Sequence, residues 1–88
     1  MDGQEKLRAR FADRLLLLDH LISSDPEFAT ICEDYCLAVE AERRWRAQGY
    51  TGQTRATEYA GIIEELEAEI SAILDERQSE RPAVGRTP

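Results

Sequence analysis

The stretch Asp25–Gln48, DPEFATICEDYCLAVEAERRWRAQ, decides the fold. Asp25-Pro26 reads as a helix start, because proline fixes φ and spends no N–H in the first turn, while the aspartate oxygen accepts from the orphan amides that follow. Ser24 with Glu27 offers an overlapping capping box. Beyond the start, Phe28, Ile31, Tyr35, Ala38 and Trp45 recur in steps of three and four, with Glu42 interrupting the series, so one face of this helix is packed. Cys32, Cys36 and Val39 lie beside that stripe and widen it to suit two neighbouring helices. Gln48-Gly49 is the stop, since glycine accepts the left-handed conformation of a helix end, and Arg43, Arg44 and Arg46 complement the negative end of the macrodipole.

Working outward, the preceding segment from Gln4 to Ile22 carries Leu7, Phe11, Leu15, Leu18 and Ile22 at helical spacing and is predicted as one amphipathic helix. Leu16, Leu17 and Leu21 spread its apolar arc, so it is either covered on two sides or offers leucines to a partner. Ser23-Ser24-Asp25-Pro26 then breaks it, because the residue before proline avoids the helical region. On the other side, Gly49–Thr57 (GYTGQTRAT) is predicted as a connection, and a short connection favours antiparallel neighbours. From about Arg55 to Gln78, Tyr59, Ile62, Ile63, Leu66, Ile70, Ile73 and Leu74 repeat as a third helix. Gly61, Ala68 and Ala72 make a small-residue stripe that either admits another helix or simply reflects helix-favouring alanines around a glycine costing about 1 kcal/mol. Residues 79–88, with Pro82, Gly85 and Pro88, lack a packed pattern and are expected to form a flexible tail.

The expectation is therefore an all-α domain over 1–78 with helices at about 4–22, 25–48 and 55–78. The second and third form a long antiparallel hairpin, and the first, or a second subunit, covers it in a four-helix or coiled-coil arrangement. Eighty-eight residues allow one core, and chains this short often gain stability by association. A composition of 42% hydrophobic and 33% charged residues favours a folded amphipathic chain over a disordered one. The net charge of −7 opposes nucleic acid and anionic lipid. No apolar run spans a bilayer and the first residues alternate acids and bases unlike a signal peptide, so a cytoplasmic location with reduced thiols is expected.

The order Asp25-Pro26, Phe28, Ile31, Tyr35 with acidic residues between, then a loop and a third helix carrying Leu66, Glu69-Ile70 and Leu74, resembles the short bacterial YdcH-like proteins of unknown function. The resemblance runs from the first helix to Leu74, with Asp25, Phe28 and Glu33-Asp34-Tyr35 its distinctive cluster. The chain departs from that pattern at Ala38 and Glu42, where larger apolar residues are usual, and in lacking lysines around Leu66. The resemblance implies a self-associating helical hairpin and supplies no catalytic residue.

Candidate chemistry is sparse. Cys32 and Cys36, one turn apart, could present two thiolates to a metal or a redox partner, or be small core residues; a tetrahedral zinc site needs four ligands and the chain has one histidine, His20. No acid is followed three residues later by histidine, as a di-iron bundle requires. The serines and threonines cluster at helix boundaries with no histidine placed to activate them, and Gly49 and Gly52 lack the lysine of a phosphate loop. Arg43, Arg44 and Arg46 around Trp45 read as helix-end cations with a core tryptophan rather than a stacking platform for bases. No cofactor is expected.

The sequence points to a non-enzymatic, self-associating protein-interaction module, with a thiol-dependent metal or redox module as the alternative. Phe28, Ile31, Tyr35, Trp45, Tyr59, Leu66, Ile70 and Leu74 are the expected packing or self-association residues. Leu16 and Leu17, together with Glu64, Glu65 and Glu69 on an acidic face, are the expected surface for a protein partner.

Overall fold

The structure, a computed structural model, describes residues 2–85, with side chains described for residues 3–79. It is all-α: α1 spans Asp2–Arg10, α2 Leu15–Ser24, α3 Pro26–Arg46 and α4 Gln53–Gly85, with short 3₁₀ turns at Ala12–Arg14 and Gly49–Gly52. The molecule is elongated, 61 × 21 × 19 Å, because α3 and α4 lie side by side and the 33-residue α4 runs on past the start of the 21-residue α3.

The start of α3 follows from Asp25. Its backbone is extended, and its Oδ1 accepts from the amides of Glu27 at 3.1 Å and Phe28 at 3.2 Å, with Pro26 in the first turn. Ser24 does not share the capping, because its hydroxyl donates back to the His20 carbonyl at 2.7 Å. Asp25 also joins the two ends of the hairpin, as Arg77 Nη2 donates to its Oδ2 at 3.1 Å. At the other end Gly49 adopts φ 69°, the left-handed geometry that a glycine at a helix end supplies. Gly52 is buried so close to Trp45 that an added Cβ would lie 2.0 Å from its carbonyl oxygen, so the turn between α3 and α4 tolerates no side chain there.

Three cross-links define the antiparallel register: Trp45 beneath the Arg55 guanidinium, Tyr35 bonded to Glu67, and Asp25 paired with Arg77. Four residues on from Tyr35 and four back from Glu67, Val39 and Ile63 lie level in the core. Tyr35, Phe28, Val39, Ile70 and Leu74 are fully enclosed, with Leu7, Phe11, Leu18 and Leu21 closing over them. This is the burial that drives the fold, at about 25 cal/mol per Å² of apolar surface removed from water.

The expected single helix over 4–22 is two helices. The chain bends at Phe11, whose buried ring occupies the corner, and the 3₁₀ turn at Ala12–Arg14 changes direction so that the two halves pack differently. α1 lies on α3, where Gly3 meets the Cys36 backbone so tightly that a Cβ would stand 2.6 Å from its carbonyl oxygen. α2 instead touches both α3 and α4 near the Asp25 end. A straight helix of that length would keep its leucines on one line and leave the end of the hairpin core uncovered. Arg14, paired with Asp75, and Arg8, 2.6 Å from Asp19, hold the two segments in place.

α4 begins at Gln53, two residues earlier than expected, because the 3₁₀ turn feeds directly into it, and it extends to Gly85 instead of stopping at 78. Of the expected tail, 79–85 is therefore helical backbone, and 86–88 lie outside the described residues. No described helix is long and apolar enough to cross a membrane.

Candidate interaction surfaces

Two surfaces and one polar cluster stand out. The first surface is a depression of about 460 Å³ in the groove between α3 and α4, lined by Leu37, Ala38 and Ala41 from α3, Tyr59, Ile62 and Leu66 from α4, and Asp34 and Arg44 at its ends. Its floor is apolar because α3 carries small residues there, and Ala38 and Ala41 are themselves buried. Leu37 is 63% exposed and Ile62 43%, so two large aliphatic side chains border the groove with much of their area in water.

The second surface, about 440 Å³, lies on the other flank of Leu37, where α1 and α2 meet α3. Cys32 and Cys36 contribute to it together with Leu7, Ile22 and Ala29. Burial pushes the Cys32 thiol up from 9.0 to about 12, with Cys36 adding to the effect. Cys36 is raised chiefly by burial and then by the Glu40 and Glu33 carboxylates. Both thiols are therefore harder to ionise than an ordinary cysteine, and the thiolate is the form that attacks. Among the described residues no three His, Cys, Asp or Glu side chains come together to hold a metal ion.

The polar cluster is Tyr35, Glu67 and Arg10. The Tyr35 hydroxyl, on a fully buried ring, donates to Glu67 Oε2 at 2.7 Å, and Arg10 Nε donates to Glu67 Oε1 at 3.4 Å. Burial first, and then the bond to Glu67, hold the Tyr35 phenol well above its ordinary value, so it remains a neutral donor. The cluster ties α1, α3 and α4 together, with its charges satisfied by one another. It offers no open coordination or nucleophilic position.

Of the expected packing residues, Phe28, Tyr35, Ile70 and Leu74 are in the core, while Ile31, Trp45, Tyr59 and Leu66 are half-buried. Trp45 is covered by Arg55, whose guanidinium lies 5.6 Å from the ring centroid. Leu16 is 87% exposed, but Leu17 is 8% exposed and belongs to the core, because the bend at Phe11 rotates α2 and points Leu17 inward; it is not available to a partner. Glu64, Glu65 and Glu69 are exposed, as a solvated acidic face requires. His20 is exposed too. Gly61 has nothing within 4 Å of an added Cβ, and Ala68 and Ala72 face water, so no helix among the described residues uses the small-residue stripe.

Sequence spacing read one helix at a time does not single out three contributors to these features. Glu67 falls among the dense acids of α4, although it sits four residues after Ile63 and three before Ile70, on the buried line of that helix. That spacing places it near the buried line, and only the register with Tyr35 makes it a link. Leu37 and Ile62 flank the packed stripes, and only the geometry of the hairpin brings them to opposite borders of one groove. Comparison with protein-family models, with curated proteins and with solved structures gives no match.

Proposed function

We propose that this chain is a non-enzymatic helical module that self-associates through its α3–α4 hairpin. The observation that carries this reading is the groove lined by Leu37, Ala38, Ala41, Tyr59, Ile62 and Leu66, an apolar surface on a chain whose described helices leave it open. Leu37 and Ile62 keep apolar area in water at its borders, which a second helix pair seated on the groove would remove from water. The resemblance to YdcH-like proteins agrees in kind. The polar cluster of Tyr35, Glu67 and Arg10 is spent on joining helices to one another. A reduced, cytoplasmic setting suits the two protonated, unpaired thiols. The acidic residues Glu64, Glu65 and Glu69, with exposed Leu16 at the far end, provide a further face for a different protein.

Light scattering across a dilution series, with and without reductant, tests the reading. A dimer or larger species whose mass does not change with reductant is expected. A monomer at every concentration would overturn it, and a dimer that dissociates in reductant would transfer the role to Cys32 and Cys36.

A further inference from the structure

The residues bordering the α3–α4 groove are arranged so that the surface complements itself under a two-fold rotation. On α3, Asp34 and Arg44 lie five residues either side of Val39, and Leu37 and Ala41 lie two either side of it. On α4, Tyr59 and Leu66 lie either side of the Ile62-Ile63 step, three residues from its nearer member. The register set by Tyr35 with Glu67 places Val39 level with Ile63. The midpoints of all three pairs therefore fall at one height on the hairpin.

We propose that a second copy of this chain occupies the groove face to face, related by a two-fold axis that lies in the interface and crosses the helices at the level of Val39 and Ile63. The rotation reverses the helix direction while leaving α3 over α3 and α4 over α4. Asp34 of each copy then meets Arg44 of the other, the large Leu37 enters the gap above the small Ala41, Tyr59 lies against Leu66, and the two Ile62 side chains approach each other at the axis. Acid meets base, large meets small and apolar meets apolar at every step, as an isologous interface requires. Neither Asp34 nor Arg44 joins an ion pair among the described residues, so both are available across the interface. The proposal rests on the self-association reading and specifies its surface and symmetry.

Sedimentation equilibrium in reductant tests it with Leu37→Glu, Asp34→Arg, Arg44→Asp and a mixture of the last two. All three positions are exposed or flank the groove, so circular dichroism should show unchanged helicity. Leu37→Glu is expected to weaken the dimer by more than about a hundredfold, and Leu37→Ala, which adds no charge, by about tenfold. Asp34→Arg and Arg44→Asp should each weaken it by about tenfold, because each homodimer then carries two like-charge contacts. The mixture should recover near-native affinity as a heterodimer. In it the arginine introduced at position 34 of one copy faces the aspartate introduced at position 44 of the other, and the native Arg44 and Asp34 of the two copies face each other as before. A wild-type dimer indifferent to these changes, or a mixture that stays as weak as its components, would overturn the proposed surface while leaving self-association standing. A wild-type monomer would overturn both.

Discussion

Removing the Tyr35 hydroxyl is the sharpest test of how α1, α3 and α4 are joined. Tyr35 is fully buried, and its hydroxyl donates at 2.7 Å to a Glu67 carboxylate whose side chain keeps 19% of its surface. A hydrogen bond to a charged acceptor contributes about 1.5–3 kcal/mol, and Tyr35→Phe leaves Glu67 with Arg10 and some water, so the loss belongs at the lower end, about 1.5 kcal/mol. At roughly 4–8 °C per kcal/mol for a domain of this size, the melting temperature should fall by about 6–12 °C. Urea unfolding followed by circular dichroism measures the free-energy loss and thermal unfolding the temperature shift, with all variants at one protein concentration because association adds apparent stability. Glu67→Ala, which leaves the phenol of the buried Tyr35 without its acceptor, should cost more than Tyr35→Phe. The double variant should cost less than the two single losses together, with a coupling of about 1 kcal/mol or more. Additive losses, or a Tyr35→Phe variant within about 0.3 kcal/mol of wild type, would show that the bond does not join α3 to α4 energetically.

Asp25 combines a helix cap with a link across the hairpin. Asp25→Ala should cost about 1–2 kcal/mol in the same urea assay, and Asp25→Asn, which keeps an N-cap acceptor, should lose only the Arg77 ion pair, about 0.5 kcal/mol. The glycines should respond in opposite directions. Gly3→Ala forces a Cβ into the Cys36 backbone and should destabilise by about 1–3 kcal/mol, whereas Gly61→Ala meets nothing and should stabilise by about 1 kcal/mol. For Cys32, the folded chain holds the protonated thiol up to about 12 against 9.0 when free. The associated stability is fully present below pH 9 and is lost as the pH climbs towards 12, since only the unfolded chain releases the proton in that window. A pH series of urea midpoints should show a shallower alkaline decline in Cys32→Ala than in wild type.

The hairpin is legible in the sequence because its signals are local. Asp25-Pro26 caps a helix through its own side chain and ring, Gly49 ends one through its freedom at positive φ, and the spacing of Phe28, Tyr35, Ile70 and Leu74 reports burial whatever the neighbouring element. The break in the first segment is not legible. Gln4 to Ile22 contains neither proline nor glycine, and its leucines satisfy a continuous helix as well as a bent one. Only the tight seat of Gly3 on Cys36 and the need to cover the end of the hairpin with Leu18 and Leu21 select the bend at Phe11. The stop expected at 78 fails because the backbone of α4 continues to Gly85 through a stretch whose sequence shows no apolar periodicity.

The candidate surface divides in the same way. Sequence alone determined the all-α class, the antiparallel pairing, the acidic faces of Glu64, Glu65 and Glu69, and most of the core, since each depends on residue type and on spacing along one helix. Tertiary structure decided that Leu17 is core while Leu16 is exposed, that Glu67 is a link between helices rather than a surface charge, and that Leu37 and Ile62 border one groove. Those outcomes depend on the rotation of each helix about its axis and on the register between two helices, which is set by contacts among residues far apart in the chain.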